Sequence, residues 1–165
     1  TLIVMSLLAV LTTIALPLFH DVLQEARMTA AVNALVHSIH LAHQNSHTGG
    51  REVVLCRSID SAHCLGSGDW GDGWIVFANL DRDDPPVVDS DEPVLHASGP
   101  QALHSITSNR QSYVLRPFSL RSTNGTVIFC DRRGSARARA VIMSYTGRPR
   151  VSRLTADGHP LSCPA

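Results

Sequence analysis

The sequence predicts an α+β fold in which one long N-terminal helix packs on antiparallel β-structure. Two observations lead to this class. The first 48 residues carry apolar side chains at helical spacing, whereas short β-branched segments separated by turn residues follow Gly50. Strands this closely spaced favour antiparallel pairing, because parallel strands need long crossover connections. The chain has 165 residues, so the part beyond the helix is long enough for one domain with its own core.

Thr1–Phe19 is an almost unbroken apolar run without a charged residue. A helix of about 19 apolar residues is just long enough to cross a hydrocarbon core. Pro17 is expected to kink or loosen this helix, because proline removes one backbone hydrogen bond. A buried core helix is the weaker alternative, since soluble domains rarely contain a helix that is apolar on every side. The residues expected to lie in the membrane or filament core are Leu2, Ile3, Leu7, Leu8, Leu11, Ile14 and Pro17.

The helix is expected to continue through Asp21–Thr48 as an amphipathic segment on a globular body. Apolar residues recur there every three or four positions, at Val32, Leu35, Val36, Ile39 and Ala42. Gly49 and Gly50 then end the helix, as glycine commonly does. The predicted organisation is a membrane or filament-core segment at 1–19, an amphipathic continuation at 20–50 and a β-rich head with a C-terminal tail at 51–165.

Eight segments after the helix have the composition of strands. Asn124-Gly125 is typical of a tight hairpin and is expected to join the fifth segment to the sixth. The fifth segment contains Pro117, which favours an edge or a strand end. The predicted strands are Glu52–Arg57, Trp74–Leu80, Val94–Ala97, His104–Ser108, Ser112–Phe118, Thr126–Asp131, Arg139–Tyr145 and Arg150–Leu154.

The four cysteines favour two disulfides in an oxidising compartment. They are Cys56, Cys64, Cys130 and Cys163, and none forms a C-x-x-C pair. Three pairings are possible. We favour Cys56–Cys64, which closes a short loop, together with Cys130–Cys163, which ties the tail to a strand. Free buried thiols are the alternative.

The charges sum to zero but are unevenly distributed. Six acids lie between Asp81 and Glu92, whereas ten arginines and one acid lie between Arg110 and Arg153. Guanidinium groups bind phosphate through paired hydrogen bonds, so such a cluster can follow a nucleic-acid backbone. Residues two apart on a strand share a face. This spacing relates Arg148 to Arg150, and Arg137 to Arg139. A solvated arginine-rich sheet edge is the alternative.

Other patterns of polar residues do not predict a catalytic or metal site. The histidines His37, His40, His43 and His47 recur at helical spacing, as metal ligands can. No acid or cysteine joins them in the sequence to complete a metal site. Asn79, Asp81 and Asp83 begin like a calcium loop, but proline follows and the remaining ligands are missing. The glycine-rich stretch 66–73 lacks the lysine of a phosphate loop. We therefore expect a non-enzymatic protein without a cofactor, a metal or a small-molecule substrate.

The chain resembles the type IV pilin superfamily. The run TLIVMSLLAVLTTIALPLF is similar to the pilin N-terminal segment, and Ala15-Leu16-Pro17 aligns with the family's A-I-P. That alignment implies that Thr1 is the sixth mature residue, with the processing site and its methylated phenylalanine just upstream. The body resembles the FimT/GspH group of minor pilins and pseudopilins. The supporting stretches are 73–77 before an acidic loop, 116–118 before 124–126, Cys130 and 144–150.

The resemblance implies a minor pilin that helps to prime filament assembly near the tip of a bacterial type IV pilus. Its partners would be other major and minor pilins, contacted through the N-terminal helix. It would first lie in the inner membrane with its head in the periplasm, and later in the filament at the cell surface. Gly147, Arg148 and Arg150 match a G-R-x-R motif that FimT-like members use for DNA in natural transformation. The implied contacts to double-stranded DNA are Arg148 and Arg150, with Arg153.

A pseudopilin of a type II secretion system is the alternative that this resemblance leaves open. Its partners would then be secretion components, and it would not bind DNA. A membrane-anchored binding domain outside any filament is a third and weaker alternative, because an apolar span alone indicates only anchoring.

Overall fold

The computed structural model describes residues 2–118 and 121–164, with side chains from residue 19 onward. The first element, α1 (Leu2–Gly49), is a helix of about 72 Å at about 1.5 Å per residue. It ends at the predicted glycines, where Gly50 has a φ of 62°. Among the described residues, no helix qualifies as long and apolar enough to span a membrane. The side chains of Leu2, Ile3, Leu7, Leu8, Leu11, Ile14 and Pro17 lie outside the described ones.

The chain after α1 forms two four-stranded antiparallel sheets. Sheet A has the order β3-β2-β1-β5, and sheet B has the order β4-β6-β7-β8. Single-turn 3-10 helices at Trp70–Asp72 and Ser135–Arg137 lie before β2 and β7. The strands are β1 (Glu52–Arg57), β2 (Trp74–Asn79), β3 (Val94–Ser98), β4 (Ser105–Ser108), β5 (Ser112–Leu115), β6 (Gly125–Cys130), β7 (Arg139–Met143) and β8 (Pro149–Ser152).

The main core lies between α1 and the inner faces of both sheets. The predicted stripe of α1 is confirmed: four of its five residues are buried, and Val36 packs at the margin. Sheet A contributes Trp74 and Leu115 to this core, and sheet B contributes Phe129. The indole Nε1 of Trp74 donates a hydrogen bond to Ser38 Oγ at 2.9 Å. This bond lets a serine sit inside the otherwise apolar stripe, since buried polar groups need partners.

Each sheet also buries part of its outer face. On sheet A, Ile75 and Phe77 pack with Val88 from the acidic loop 81–92. On sheet B, Ala140 and Ile142 pack with Leu161 from the C-terminal tail. Both predicted disulfides are confirmed, Cys56–Cys64 and Cys130–Cys163, and each lies within one of these outer clusters. The acidic loop and the tail therefore serve as covers for strands that are buried on both faces.

The predicted hairpin at Asn124-Gly125 is wrong. β5 pairs with β1 in sheet A, whereas β6 pairs with β4 and β7 in sheet B. Asn109 directly follows β4 at the point where the chain leaves sheet B. Its side-chain oxygen accepts a hydrogen bond from Thr126 N at 2.8 Å. β5 thus belongs to the other sheet, and Phe118, three residues after β5, lies edge-on to His47 near the end of α1.

The bond between Trp74 and Ser38 gives a testable prediction for the core. Trp74→Phe leaves the Ser38 hydroxyl without its donor, so we expect a loss of about 1–3 kcal/mol in unfolding free energy. Trp70→Phe is the matched control, because Trp70 is also buried but packs edge-on to Tyr113 instead. Urea denaturation of both variants measures the difference. Equal losses would show that the volume of the indole matters and the bond does not.

Candidate functional site

The turn between β7 and β8 is tightly built. Ser144 N donates to Arg148 O at 3.2 Å, and Gly147 N donates to Ser144 O at 2.9 Å. The two hydroxyls of Ser144 and Thr146 lie 2.8 Å apart. Gly147 has a φ of 72°, and a Cβ atom there would lie 2.8 Å from His43 Cδ2. Glycine is therefore required both by the backbone conformation and by the close approach of α1.

The C-terminal end of α1 docks on this turn through His43. His43 Nε2 donates a hydrogen bond to the carbonyl oxygen of Thr146 at 3.2 Å. Partial burial, and then the neighbouring His47, lower the pKa of His43 below its usual range. The rings of His43 and His47 are stacked at an angle, with centroids 4.3 Å apart. The imidazole of His43 is thus a neutral donor that joins the helix to the turn.

A cavity of about 560 Å³ opens beside this contact, and we call it the arginine–aromatic cavity. Three arginines reach it from two loops. The Arg121 guanidinium lies 4.9 Å from the centre of the Tyr145 ring, which is within cation–π range. Arg116 Nε donates to Glu52 at 2.8 Å, and its Nη1 donates to the Arg121 carbonyl at 3.0 Å. The lining residues are His43, His47, Arg116, Phe118, Arg121, Tyr145, Thr146 and Arg148.

The predicted pair Arg148 and Arg150 lies at this end of the molecule, and both side chains are exposed. The register pairs Ile142 with Arg150 and Met143 with Pro149, so Arg148 leaves the turn just before β8 begins. Arg153 follows the strand and is also exposed. At about 3.3 Å per residue, Arg148 and Arg153 are separated by roughly 16 Å along the chain. Within residues 2–118 and 121–164, none of these three arginines forms an ion pair.

The structure does not bring Arg137 and Arg139 to the cavity. Arg139 begins β7, at the opposite end of that strand from the turn, and it donates to Glu25 and to Thr29 Oγ1 on α1. Arg133 pairs with Glu25 at 2.9 Å and with Asp131 at 2.7 Å. The hydrogen bond from Arg133 lowers the pKa of Glu25. Arg139 therefore fastens α1 to sheet B, and Arg137 is exposed on the adjacent 3-10 helix.

Sequence reasoning missed several residues of the cavity. Arg116 and Phe118 entered only through their resemblance to a family pattern, and Arg121 was one charge among ten. His43 and His47 were weighed as metal ligands because of their helical spacing. In the part of the chain that the structure describes, no three His, Cys, Asp or Glu side chains are grouped to hold a metal ion. The spacing instead places both imidazoles on the helix face that meets the turn.

Comparison with protein-family models gives one match that covers most of the chain. The family described as "Type II transport protein GspH" matches residues 31–147. This range holds α1 from Ala31 onward and the strands β1 to β7, and it ends at the glycine of the turn. Comparison with curated protein sequences gives no match.

Two crystal structures of the type IV minor pilin FimU from Pseudomonas aeruginosa strain PAO1 are similar to this chain. The structure in space group P65 is 16% identical, with 82% of this chain and 98% of that chain covered and a TM-score of 0.57. The structure in space group P21 is 17% identical, with 84% and 96% covered and a TM-score of 0.59. At such identities the likeness establishes a shared fold.

The contact between His43 and the turn predicts how stability depends on pH. Burial lowers the pKa of His43 and of His96, so the unfolded chain takes up protons first as the pH falls. We expect stability to decrease as the pH drops below about 6.5, the ordinary pKa of histidine, and His43→Gln to make this decrease smaller. Urea midpoints at neutral and mildly acidic pH provide the measurement. The exposed His104→Gln is the control, and an unchanged pH dependence in His43→Gln would contradict the assignment.

Proposed function

The chain belongs to the type II transport protein GspH family, and from this membership we propose that it is a minor pilin of a bacterial type IV pilus. It primes filament assembly near the tip, and it binds double-stranded DNA at the turn between β7 and β8. The observation that carries the proposal is the pairing of two features at opposite ends of one helix. An apolar N-terminal run precedes the part of α1 that packs on the sheets. An exposed turn that bears arginines contacts the C-terminal end of α1 through His43.

Assembly through α1 is supported by its uncovered side. Phe19 and Val22 are 66% and 62% exposed, and a shallow apolar groove continues along Val22, Ala26 and Ala30. In a filament, the helix of another pilin covers such a surface. The run Thr1–Phe19 is held in the inner membrane before assembly and among neighbouring helices afterwards. Moving between these surroundings exchanges one apolar environment for another, so packing decides the outcome.

DNA binding is supported by the position of the arginines. Arg148, Arg150 and Arg153 follow one another from the turn along β8, the edge strand of sheet B. Charges arranged in this way neutralise successive phosphates without reading the bases. The family match ends at Gly147, so this part of the proposal depends on the geometry of the turn and on the G-R-x-R pattern.

A second candidate is a pseudopilin of a type II secretion system. The description of the family itself, a type II transport protein, favours it. In that function the same helix joins a short periplasmic filament, and the arginines remain solvated or meet a protein partner.

Deleting the gene in its host separates the two candidates. We expect loss or reduction of surface pili and of DNA uptake, with secretion of exported enzymes unchanged, and recovery of both on complementation. Electron microscopy, a transformation assay and analysis of the culture medium measure the three outcomes. If the deletion strain kept its surface pili but failed to release exported enzymes into the medium, the chain would instead be assigned to type II secretion.

The arginines give a direct prediction for DNA. Arg148→Ala with Arg150→Ala should weaken duplex binding at least about fivefold, because each side chain loses a charge-assisted contact. The slope of log affinity against log salt should fall by about one to two. Fluorescence anisotropy across a salt series provides both values. Arg27→Ala with Arg132→Ala is the matched control, because these exposed residues line one cavity near the middle of α1, away from the turn between β7 and β8. Equal weakening by both double variants would rule out a local site.

A further inference from the structure

We propose that the arginine–aromatic cavity binds an unpaired nucleobase, so that this protein also holds single-stranded DNA. The inference rests on the proposed function, because Arg148 lines the cavity and also takes part in the proposed duplex site. It goes beyond that function by assigning a second mode of binding to different residues. Phe118 and Tyr145 provide the stacking surfaces, and Arg116 and Arg121 provide the contacts to flanking phosphates.

The aromatic side chains supply the first argument. Phe118 is 74% exposed and Tyr145 is 51% exposed, and both rings line the same cavity. Single exposed apolar side chains are ordinary, but two exposed rings on one concavity form a surface that water solvates poorly. Phe118 also lies edge-on to His47, with ring centroids 6.4 Å apart. Two aromatic rings thus line the cavity, and every base has a π-face that can stack on such a ring.

The charges supply the second argument. Each of the three arginines that line the cavity is always protonated at physiological pH. Glu52 and the Arg121 carbonyl hold Arg116 in place, and the Tyr145 ring supports Arg121, so both guanidinium groups are ordered before a ligand arrives. None of the residues that line the described cavity is acidic. A phosphate on either side of a stacked base would therefore meet positive charge that is already positioned.

The volume and the chemistry together favour a single strand over a duplex. Cavities of about 300–1,000 Å³ enclose small organic groups, and this cavity falls within that range at about 560 Å³. A base inside a duplex hides both faces against its neighbours, so it cannot stack on Tyr145 or Phe118 without leaving the helix. An unpaired base needs no such step. The duplex would use the arginines along β8, and a single strand would use the cavity as well.

The test compares two ligands on the full-length chain in detergent micelles. Fluorescence anisotropy measures the binding of a labelled oligothymidine and of a blunt duplex of the same length, at one fixed salt concentration. We expect Tyr145→Leu and Phe118→Leu each to weaken single-strand binding about fivefold or more, while duplex binding stays unchanged. Arg148→Ala with Arg150→Ala should weaken both ligands. Phe19→Leu is the matched control, since it removes an equally exposed ring far from the cavity.

A change in the ligand provides an independent arm. An oligonucleotide with the same phosphates but with abasic positions removes the bases and keeps the charge. The wild-type chain should bind it as weakly as Tyr145→Leu binds the intact strand. Circular dichroism and the thermal midpoint check that each variant is folded.

The outcomes separate this inference from the proposed function. One outcome would overturn the cavity assignment alone. In that outcome duplex binding depends on the arginines, whereas the affinity for the single strand is unchanged by either ring substitution and by replacing the bases with abasic positions. Equal weakening of both ligands by the ring variants would overturn it as well. A wild-type chain that binds neither ligand would overturn the cavity assignment together with DNA binding by the turn.

Discussion

The burial of one stripe of α1 between two sheets is the constraint on which the rest of the structure depends. Neither sheet alone covers the stripe, because sheet A and sheet B each contribute part of the same core cluster. Ser38 lies within this stripe, where its hydroxyl accepts a hydrogen bond from the Trp74 indole and donates one to the Ala34 carbonyl. Nearer the N-terminus, Glu25 pairs with Arg139 at the start of β7 and with Arg133 in the segment after β6, so charge fastens the helix where the apolar contact ends.

This arrangement explains why the candidate site forms where it does. The helix leaves the core at its C-terminal end, and there Arg116, Phe118, Arg121 and the turn 144–148 line one cavity with His43 and His47. Gly147 lets the second loop approach the helix closely, so that Arg148, the next residue, lines the cavity. The site is therefore a product of helix docking, although most of its charged residues lie on loops. The docking of the helix and the shape of the candidate site are linked at one contact, between His43 and the turn.

The elements of the fold could be read from the sequence because their signals are local. Periodicity placed α1 and its buried face, and β-branched runs placed all eight strands to within a few residues. The pairing of the strands could not be read in the same way. Asn124-Gly125 has the composition of a hairpin, yet the strand before it belongs to the other sheet. A short stretch of sequence does not indicate with which distant strand it pairs. Most of the cavity was missed for the same reason, since Arg116 and Arg121 follow a strand of sheet A and meet Tyr145, which follows a strand of sheet B, only in the folded structure.

The C-terminal tail is attached to sheet B by a bond that the chain cannot make by folding alone. Leu161 covers Ala140 and Ile142 there, and Cys130–Cys163 holds the cover in place. With the two thiols reduced, the tail would keep only weak contacts such as the 3.0 Å hydrogen bond from Cys163 N to Ser135 Oγ. The apolar surface of sheet B beneath Leu161 would then be exposed to water. One pair of sulfur atoms thus decides whether this apolar surface of sheet B stays covered.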